Sequence, residues 1–106
     1  MDKTKFLSLL GLCKKSGNVI SGTPMVTKSL PQGKICVVFY SFASSPNTEK
    51  KIRDKTAFYG VECIKVDISL EELSHAIGKT SSVSAVGITN ENFSKQLKIL
   101  TSNEKR

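Results

Sequence analysis

The chain has 106 residues, the size of one domain, and its 39% hydrophobic and 24% charged content is ordinary for a globular protein. Sixteen basic residues against nine acidic ones give a net charge of +7, and residues 1–34 carry six lysines against one aspartate. A basic third of a small domain favours an anionic partner, most often nucleic acid. No apolar run approaches the roughly 20 residues that span a bilayer, which excludes a membrane-spanning chain.

The spacing of apolar and turn residues predicts elements that alternate along the whole chain. In order they are a helix over 3–16, a strand over 18–21, a helix over 24–32, a strand over 35–40, a helix over 46–59, a strand over 61–66, a helix that opens at 69–72 and stops at Gly78, a strand over 82–88 and a helix over 90–100. Ser45 is the expected N-cap of the third helix, and Ser69 with Glu72 forms a capping box at the fourth. Residues 101–106 are expected to fray.

This alternation of helix and strand indicates a single α/β domain over residues 1–106. We expect a sandwich with a central mixed, largely parallel sheet of about four strands and helices on both faces. The run ICVVFY (35–40) is apolar throughout, as is typical of a strand that is buried on both faces.

Three cysteines, Cys13, Cys36 and Cys63, lie at wide spacings in apolar surroundings. No CxxC pair occurs, so neither a zinc site nor a thioredoxin-type motif is expected. We interpret all three as buried free thiols in a reducing cytoplasm.

Residues 17–23, GNVISGT, have the glycine spacing of a phosphate-binding loop, but Thr23 stands where that motif requires lysine. His75 is the only histidine, and the apolar pattern of its helix places it towards solvent. Glu71 and Glu72 suit the start of that helix better than acid–base chemistry. We therefore predict no catalytic residues, no metal site and no cofactor, and we expect a protein that is not an enzyme.

The segment SGTPMVTKSL (21–30) predicts the start of the second helix. Thr23 is the expected N-cap and Pro24 the first helical residue. The unpaired N–H groups at a helix start favour phosphates and base acceptors. Lys28 lies four residues after Pro24 on the same face, and Gly22 lets another backbone come close. From these residues alone, a capped helix with one surface lysine remains an equal alternative.

A second polar loop, within AIGKTSSVSAV (76–86), precedes the last strand. Its lysine and hydroxyls suit phosphates or sugars, and the alternative is a plain polar connector. The two loops form one site if the fold brings them to the same edge of the sheet.

Four segments together carry a resemblance to a known family: FLSLLGLCKKSGNVISG (6–22), NTEKKIRDK (47–55), EELSHAIGK (71–79) and GITNENFSKQL (87–97). In this order they resemble the L-seven-Ae/L-thirty-e superfamily of ribosomal and kink-turn RNA-binding proteins, most closely its small bacterial YlxQ-like branch. The resemblance covers residues 5 to 100. It implies a three-layer α-β-α sandwich, a cytoplasmic protein without catalysis, and an RNA ligand.

In that superfamily, the helix that begins after the glycine reads sheared G·A pairs in a kinked RNA, and the loop before the last strand covers bulged nucleotides. Carried over by position, the implied RNA-binding residues are Gly22, Thr23, Pro24, Met25, Lys28, Lys79, Thr80, Ser81, Ser82 and Val83. Lys14 and Lys15 are expected to add accessory electrostatic attraction.

This chain departs from the kink-turn readers at two places in the implied site. Pro24 and Met25 stand where those proteins carry an Asn-Glu pair, and a methionine cannot accept a hydrogen bond from a guanine edge. The second loop is rich in serine here and apolar in those proteins. The RNA-binding surface is therefore expected to persist while the kink-turn code is weakened.

The sequence predicts a small RNA-binding protein, associated with the ribosome or another ribonucleoprotein, that recognises a structured, kink-turn-like RNA. We expect ribosomal or other kink-turn RNA as the partner, ribosomal proteins as further partners, no membrane, and a monomer. The alternative is a protein–protein adaptor on the same fold that has lost specific kink-turn recognition. Pro24 and Met25 would give that adaptor an apolar tip.

Overall fold

The computed structural model describes residues 1–102, in which helices and strands alternate as the sequence predicts. In chain order they are α1 (Lys3–Lys15), β1 (Val19–Ser21), α2 (Thr23–Ser29), β2 (Val37–Ser41), α3 (Pro46–Phe58), β3 (Glu62–Val66), α4 (Leu70–Ala76), β4 (Ala85–Ile88) and α5 (Glu91–Ser102). A 3₁₀ helix over Leu30–Gln32 continues α2 up to Gly33. Within this described part of the chain, none of the helices has both the length and the apolar character needed to cross a membrane.

Side chains at two helix starts satisfy backbone N–H groups that a helix leaves unpaired. Ser45 Oγ accepts from the N–H of Thr48 at 3.2 Å at the start of α3. At α4, Ser69 Oγ accepts from the N–H of Glu72 at 3.1 Å, and the Glu72 carboxylate accepts from the N–H of Ser69 at 2.9 Å. The predicted N-cap and the predicted capping box are both confirmed.

The last helix is longer than its predicted end at Leu100. α5 continues to Ser102, and the Thr101 hydroxyl donates to the Lys98 carbonyl at 2.8 Å. Leu100 packs partly buried against the core and so holds this turn in place. The first two residues of the segment expected to fray are therefore helical, and residues 103–106 lie outside the described part of the chain.

The strands form one sheet in the order β1-β4-β2-β3. β2 and β3 are parallel, with Val37 opposite Glu62, whereas β4 is antiparallel to both of its neighbours, β1 and β2. The mixed four-stranded sheet is confirmed. The predicted largely parallel pairing is wrong, because two of the three pairings are antiparallel.

The loop between α4 and β4 determines the direction of β4. The N–H groups of Lys79 and Val83 donate to the carbonyl and Oγ of Ser74, at 2.9 and 2.8 Å. The loop thus folds back on α4, and β4 enters the sheet at the edge where β3 leaves it.

Helices cover both faces of the sheet, which confirms the three-layer α-β-α sandwich. α1, α4 and α5 pack on one face, where Phe6 and Phe39 meet edge to face with ring centroids 5.1 Å apart. α2 and α3 pack on the other face, around Val38, Tyr40 and Ile52. β2 is buried along its whole length, as its apolar run predicts.

All three cysteines are free thiols, but only one is fully buried. Cys13 lies in the core, its thiol donates to the Asn18 carbonyl at 3.5 Å, and burial raises its pKa to about 11. Cys36 precedes β2, and Cys63 lies on β3 at the edge of the sheet. Both are half-buried, so the prediction of buried thiols is wrong for these two, because end and edge positions are covered less completely than the sheet interior.

Candidate nucleic-acid interface

The two loops singled out from the sequence meet at one edge of the sheet. β1 ends with Ser21 opposite Val86, and the N–H of Gly22 donates to the carbonyl of Ala85 at 2.9 Å. The start of α2 is therefore tied directly to the start of β4. The end of the sheet at which β1, β2 and β3 finish and β4 begins is called the carboxyl edge. The opposite end of the sheet is called the amino edge.

Gly22 is the N-cap of α2, with φ 91° and ψ 138°. Its carbonyl accepts the first helical hydrogen bond, from the N–H of Val26 at 2.9 Å. The prediction that Thr23 is the N-cap is therefore wrong: Thr23 is the first helical residue and Pro24 the second, and no side chain caps this helix. A Cβ placed on Gly22 would meet only Pro24 Cδ, at 4.0 Å, so the backbone here is open to a ligand.

The outer face of α2 presents the residues that the resemblance implies. Pro24 and Lys28 are exposed and Met25 is 52% exposed, whereas Val26 is fully buried beneath them. The Thr27 hydroxyl donates to the carbonyl of Thr23 at 3.0 Å and to that of Pro24 at 3.1 Å. This part of the site is thus a short helix that is anchored in the core by Val26 and carries one exposed lysine.

The loop between α4 and β4 supplies the second part of the site. Lys79, Thr80, Ser81 and Ser82 are all exposed, and they border a depression of about 160 Å³ beside α4. Ser82 is three residues from Ala85, at most about 11 Å along an extended chain, which keeps the loop close to the start of α2.

Val83 does not share the exposure of its loop. It is 5% exposed and packs in the core with α1, α4 and α5. The core thus takes up this side chain, and the implied contact of Val83 with RNA stays a prediction. Val83 anchors the loop, with the help of its N–H bond to Ser74.

Lys14 and Lys15 lie away from these loops. They form the last turn of α1, which leads into β1 at the amino edge. There the N–H of Thr89, just after β4, donates to the carbonyl of Asn18 at 3.0 Å. The two lysines contribute to the charge of the molecule but do not join the carboxyl edge.

A third loop, which the sequence did not predict as part of the site, lies at the carboxyl edge. Ser41, the last residue of β2, donates its N–H to the Ser84 carbonyl at 2.8 Å. Phe42 follows it with 51% of its surface exposed, and its N–H donates to the Val66 carbonyl at 3.0 Å. The sequence does contain a sign of this loop, because the apolar Phe42 stands directly after a buried strand and before the segment ASSP.

The titratable residues on α4 take structural roles or face solvent. The N–H of Ser69 and the ammonium of Lys3 both donate to Glu72, and the bond from Ser69 is the main cause that holds the pKa of this carboxyl below its usual range. His75 is exposed, as predicted. Over residues 1–102, no group of three or more His, Cys, Asp or Glu side chains is placed to hold a metal ion.

Comparison with known proteins places this geometry in a family. The sequence pattern of the "Ribosomal protein L7Ae/L30e/S12e/Gadd45 family" matches residues 4–98. The "RNA-binding protein YlxQ" of Enterococcus faecium is 32% identical over 99 residues, 93% of each chain. The protein of the same name from Bacillus subtilis (strain 168) is 33% identical over 97 residues, which cover 92% of this chain and 95% of the relative.

The fold is also found in solved structures. A protein of unknown function from Bacillus halodurans superposes with a TM-score of 0.85 at 31% identity, covering 92% of this chain and 97% of that one. Sequence pattern, relatives and fold agree over nearly the whole length. The chain therefore belongs to the ribosomal protein L7Ae/L30e/S12e/Gadd45 family.

Proposed function

We propose that this protein is a cytoplasmic, non-catalytic RNA-binding protein that holds a structured, kink-turn-like RNA at its carboxyl edge, in a ribosomal or other ribonucleoprotein particle. The observation that carries the proposal is the hydrogen bond from Gly22 to Ala85, which joins the start of α2 to the loop before β4. Both curated relatives bear the name RNA-binding protein, and a net charge of +7 favours a polyanion.

Each exposed part of the carboxyl edge has a chemical role in this proposal. Gly22 lets the RNA backbone approach, because no side chain fills the space above it. The Lys28 ammonium pairs with a phosphate or with a guanine acceptor in the groove. The lysine and hydroxyls of the loop over 79–82 bind phosphates or sugars, and Phe42 offers an open ring to an unstacked base.

Discrimination between RNAs is expected to be modest at this site. Pro24 lacks an N–H, and Met25 has no strong acceptor for the edge of a guanine. Contacts to phosphate position an RNA without reading its sequence, whereas contacts to bases specify it. We therefore expect a larger share of the binding free energy to come from phosphates than from the G·A pairs of a kink.

A titration with two RNAs at two salt concentrations tests the proposal. The RNAs are a standard kink-turn and a matched duplex without the kink, and the proteins are wild type, Lys28→Ala and Lys95→Ala. Lys95 is an exposed lysine on α5, so its variant loses the same charge on a different face. Lys28→Ala should cost about 1–3 kcal/mol if Lys28 contacts a base, or lower the salt slope by about one unit if it contacts phosphate.

The result also decides whether the carboxyl edge is the RNA site. Equal binding by wild type and Lys28→Ala removes this lysine from the site, and equal losses in both variants indicate attraction by net charge alone. Preference for the kinked RNA would mean that the backbone, Lys28 and the loop suffice without an Asn-Glu pair.

The exposed apolar side chains at the carboxyl edge favour one alternative function. Met25 and Phe42 are each about half exposed there, which suits a contact with another protein. Salt separates the two functions, because binding through phosphates weakens steeply as salt rises and an apolar contact does not. Absence of binding to either RNA would favour the protein adaptor.

A further inference from the structure

The outer face of α3 carries two lysines and two aromatic rings within a short distance. Lys51, Lys55 and Phe58 follow one another at spacings of four and three residues, so they lie on one side of the helix. Tyr59 follows directly after α3, and its ring contacts that of Phe58. Eight residues separate the first from the last, about 12 Å along the axis. We call these four residues the α3 patch.

The rings of the α3 patch are open to solvent although the backbone beneath them is fixed. Phe58 is 77% exposed and Tyr59 is 39% exposed, with ring centroids 4.9 Å apart and planes at 85°. Gly60 ends the helix with φ 69° and donates its N–H to the Ala57 carbonyl, while Val61 donates to that of Thr56. This is the Schellman arrangement of a well-formed helix end, so the rings are presented from a fixed backbone.

The two lysines of the α3 patch have no carboxylate partner within residues 1–102. Their neighbour Lys50, by contrast, is paired with Asp54 at 2.7 Å. Two unpaired ammonium groups beside two open rings match a polyanion that carries flat aromatic groups. Single-stranded nucleic acid has this chemistry, since its phosphates attract lysines and its bases stack on aromatic side chains.

We propose that the α3 patch is a second RNA-binding surface, and that it takes an unpaired segment of a few nucleotides. Phe58 and Tyr59 stack on bases, and Lys51 and Lys55 contact the phosphates between them. Lysine is depleted from protein–protein interfaces, so the combination favours RNA over a protein partner. α3 begins at the carboxyl edge and ends before β3, so its rings lie at the amino edge. These rings therefore lie at the opposite edge from Gly22, and their binding to RNA does not depend on the function proposed for the carboxyl edge.

Binding of a fluorescein-labelled oligouridylate, followed by fluorescence anisotropy, tests the proposal. We expect Phe58→Ala to raise the Kd about five- to a hundred-fold, because it removes one stacking ring. The double variant Lys51→Ala/Lys55→Ala should lower the salt slope by about 1.4 units, or 0.7 per phosphate contact on a single strand. A duplex of the same length should be insensitive to Phe58→Ala, since its bases are already stacked.

Matched variants separate the α3 patch from the rest of the surface. Leu12→Ala removes an exposed apolar side chain on α1 that is 56% exposed, and Lys95→Ala removes one exposed lysine on α5. Both should leave the Kd for oligouridylate within about twofold. Phe58 is mostly in solvent, so its removal should also leave the circular dichroism spectrum and the midpoint of unfolding unchanged.

Three results would overturn this proposal: no binding of oligouridylate by wild type, an unchanged Kd in Phe58→Ala, or an equal loss in Lys28→Ala. Either of the first two results would indicate that the exposed rings contact another protein rather than RNA. The third would place single strands at the carboxyl edge. Because the kink-turn titration reports on Lys28 alone, failure of one proposal is distinguishable from failure of the other.

Discussion

Gly22 has a role both in the fold, as the N-cap of α2, and in the candidate interface. Its φ of 91° lies where residues with a side chain are strained, although a Cβ would have space around it. We therefore expect Gly22→Ala to lower the free energy of unfolding by about 1–3 kcal/mol through backbone strain alone. Urea denaturation followed by circular dichroism measures this change.

Thr23→Ala is the matched control for that substitution. Since no side chain caps α2, removing the Thr23 hydroxyl should change the free energy of unfolding by less than about 0.5 kcal/mol. A loss of about 1 kcal/mol or more from Thr23→Ala would instead restore Thr23 as the N-cap. If Gly22→Ala were as stable as wild type, the prediction of backbone strain at this residue would be wrong.

The cap of α2 also shows what residue patterns leave undecided. The segment SGTP offers more than one capping residue, and the preference of proline for the first helical position points to Thr23. The structure begins the helix one residue earlier because Ser21 and Gly22 are both bonded to β4, and β1 cannot extend further. That restraint comes from a strand more than 60 residues away, so no local pattern contains it.

The start of α4 is stabilised by interactions that depend on pH. The pKa of Glu72 is lowered chiefly by the N–H of Ser69, with Lys3 as a further cause. A lowered pKa in the folded state means that the stabilisation is present above the usual carboxyl pKa and is lost as pH falls through the lowered value. Glu72→Gln should therefore be less stable than wild type at pH 7, and the difference should shrink towards pH 3. Urea midpoints at the two pH values measure this.

Two further variants identify the capping box as the cause. Ser69→Ala should cost about 0.5–2 kcal/mol, because it removes the side chain that accepts from the N–H of Glu72. Glu71→Gln removes a charge from the same helical turn at an exposed residue, and it should show a smaller dependence on pH. Equal behaviour of Glu71→Gln and Glu72→Gln would assign the effect to the helix dipole rather than to the hydrogen bond.

Elements were easier to predict than their pairing. Apolar spacing located each helix and strand, and the glycines and caps placed most boundaries within a few residues. Strand direction was predicted from alternation, which assumes that each helix carries the chain back across the sheet. Here Ser74 holds the loop after α4 against that helix, so the chain does not cross back before β4. Apolar spacing does not reveal such a contact.

At the scale of the molecule, strand direction and order determine at which edge of the sheet each loop lies. Lys14 and Gly22 belong to the same basic third of the sequence, yet they lie at different edges. Phe42 joins the carboxyl edge from the middle of the chain. Membership of the candidate interface therefore depends on strand order, and that order is a product of tertiary packing which local patterns do not specify.

Separation of the two proposed surfaces predicts additive effects on one RNA. For a kink-turn that carries a long oligouridylate tail, Lys28→Ala and Phe58→Ala should each weaken binding. The double variant should lose the sum of the two free energies within about 0.5 kcal/mol, because residues without shared partners act independently. The tail must reach around a molecule whose largest dimension is 30 Å, so a short tail should gain nothing.

The same kink-turn without a tail is the control for that experiment. Phe58→Ala should then have no effect, and Lys28→Ala should keep its effect in full. Coupling of more than about 1 kcal/mol between the two substitutions on the tailed RNA would mean that both residues contact one segment. The carboxyl edge and the α3 patch would then be parts of a single surface, and the RNA would wrap along α3 between the two edges of the sheet.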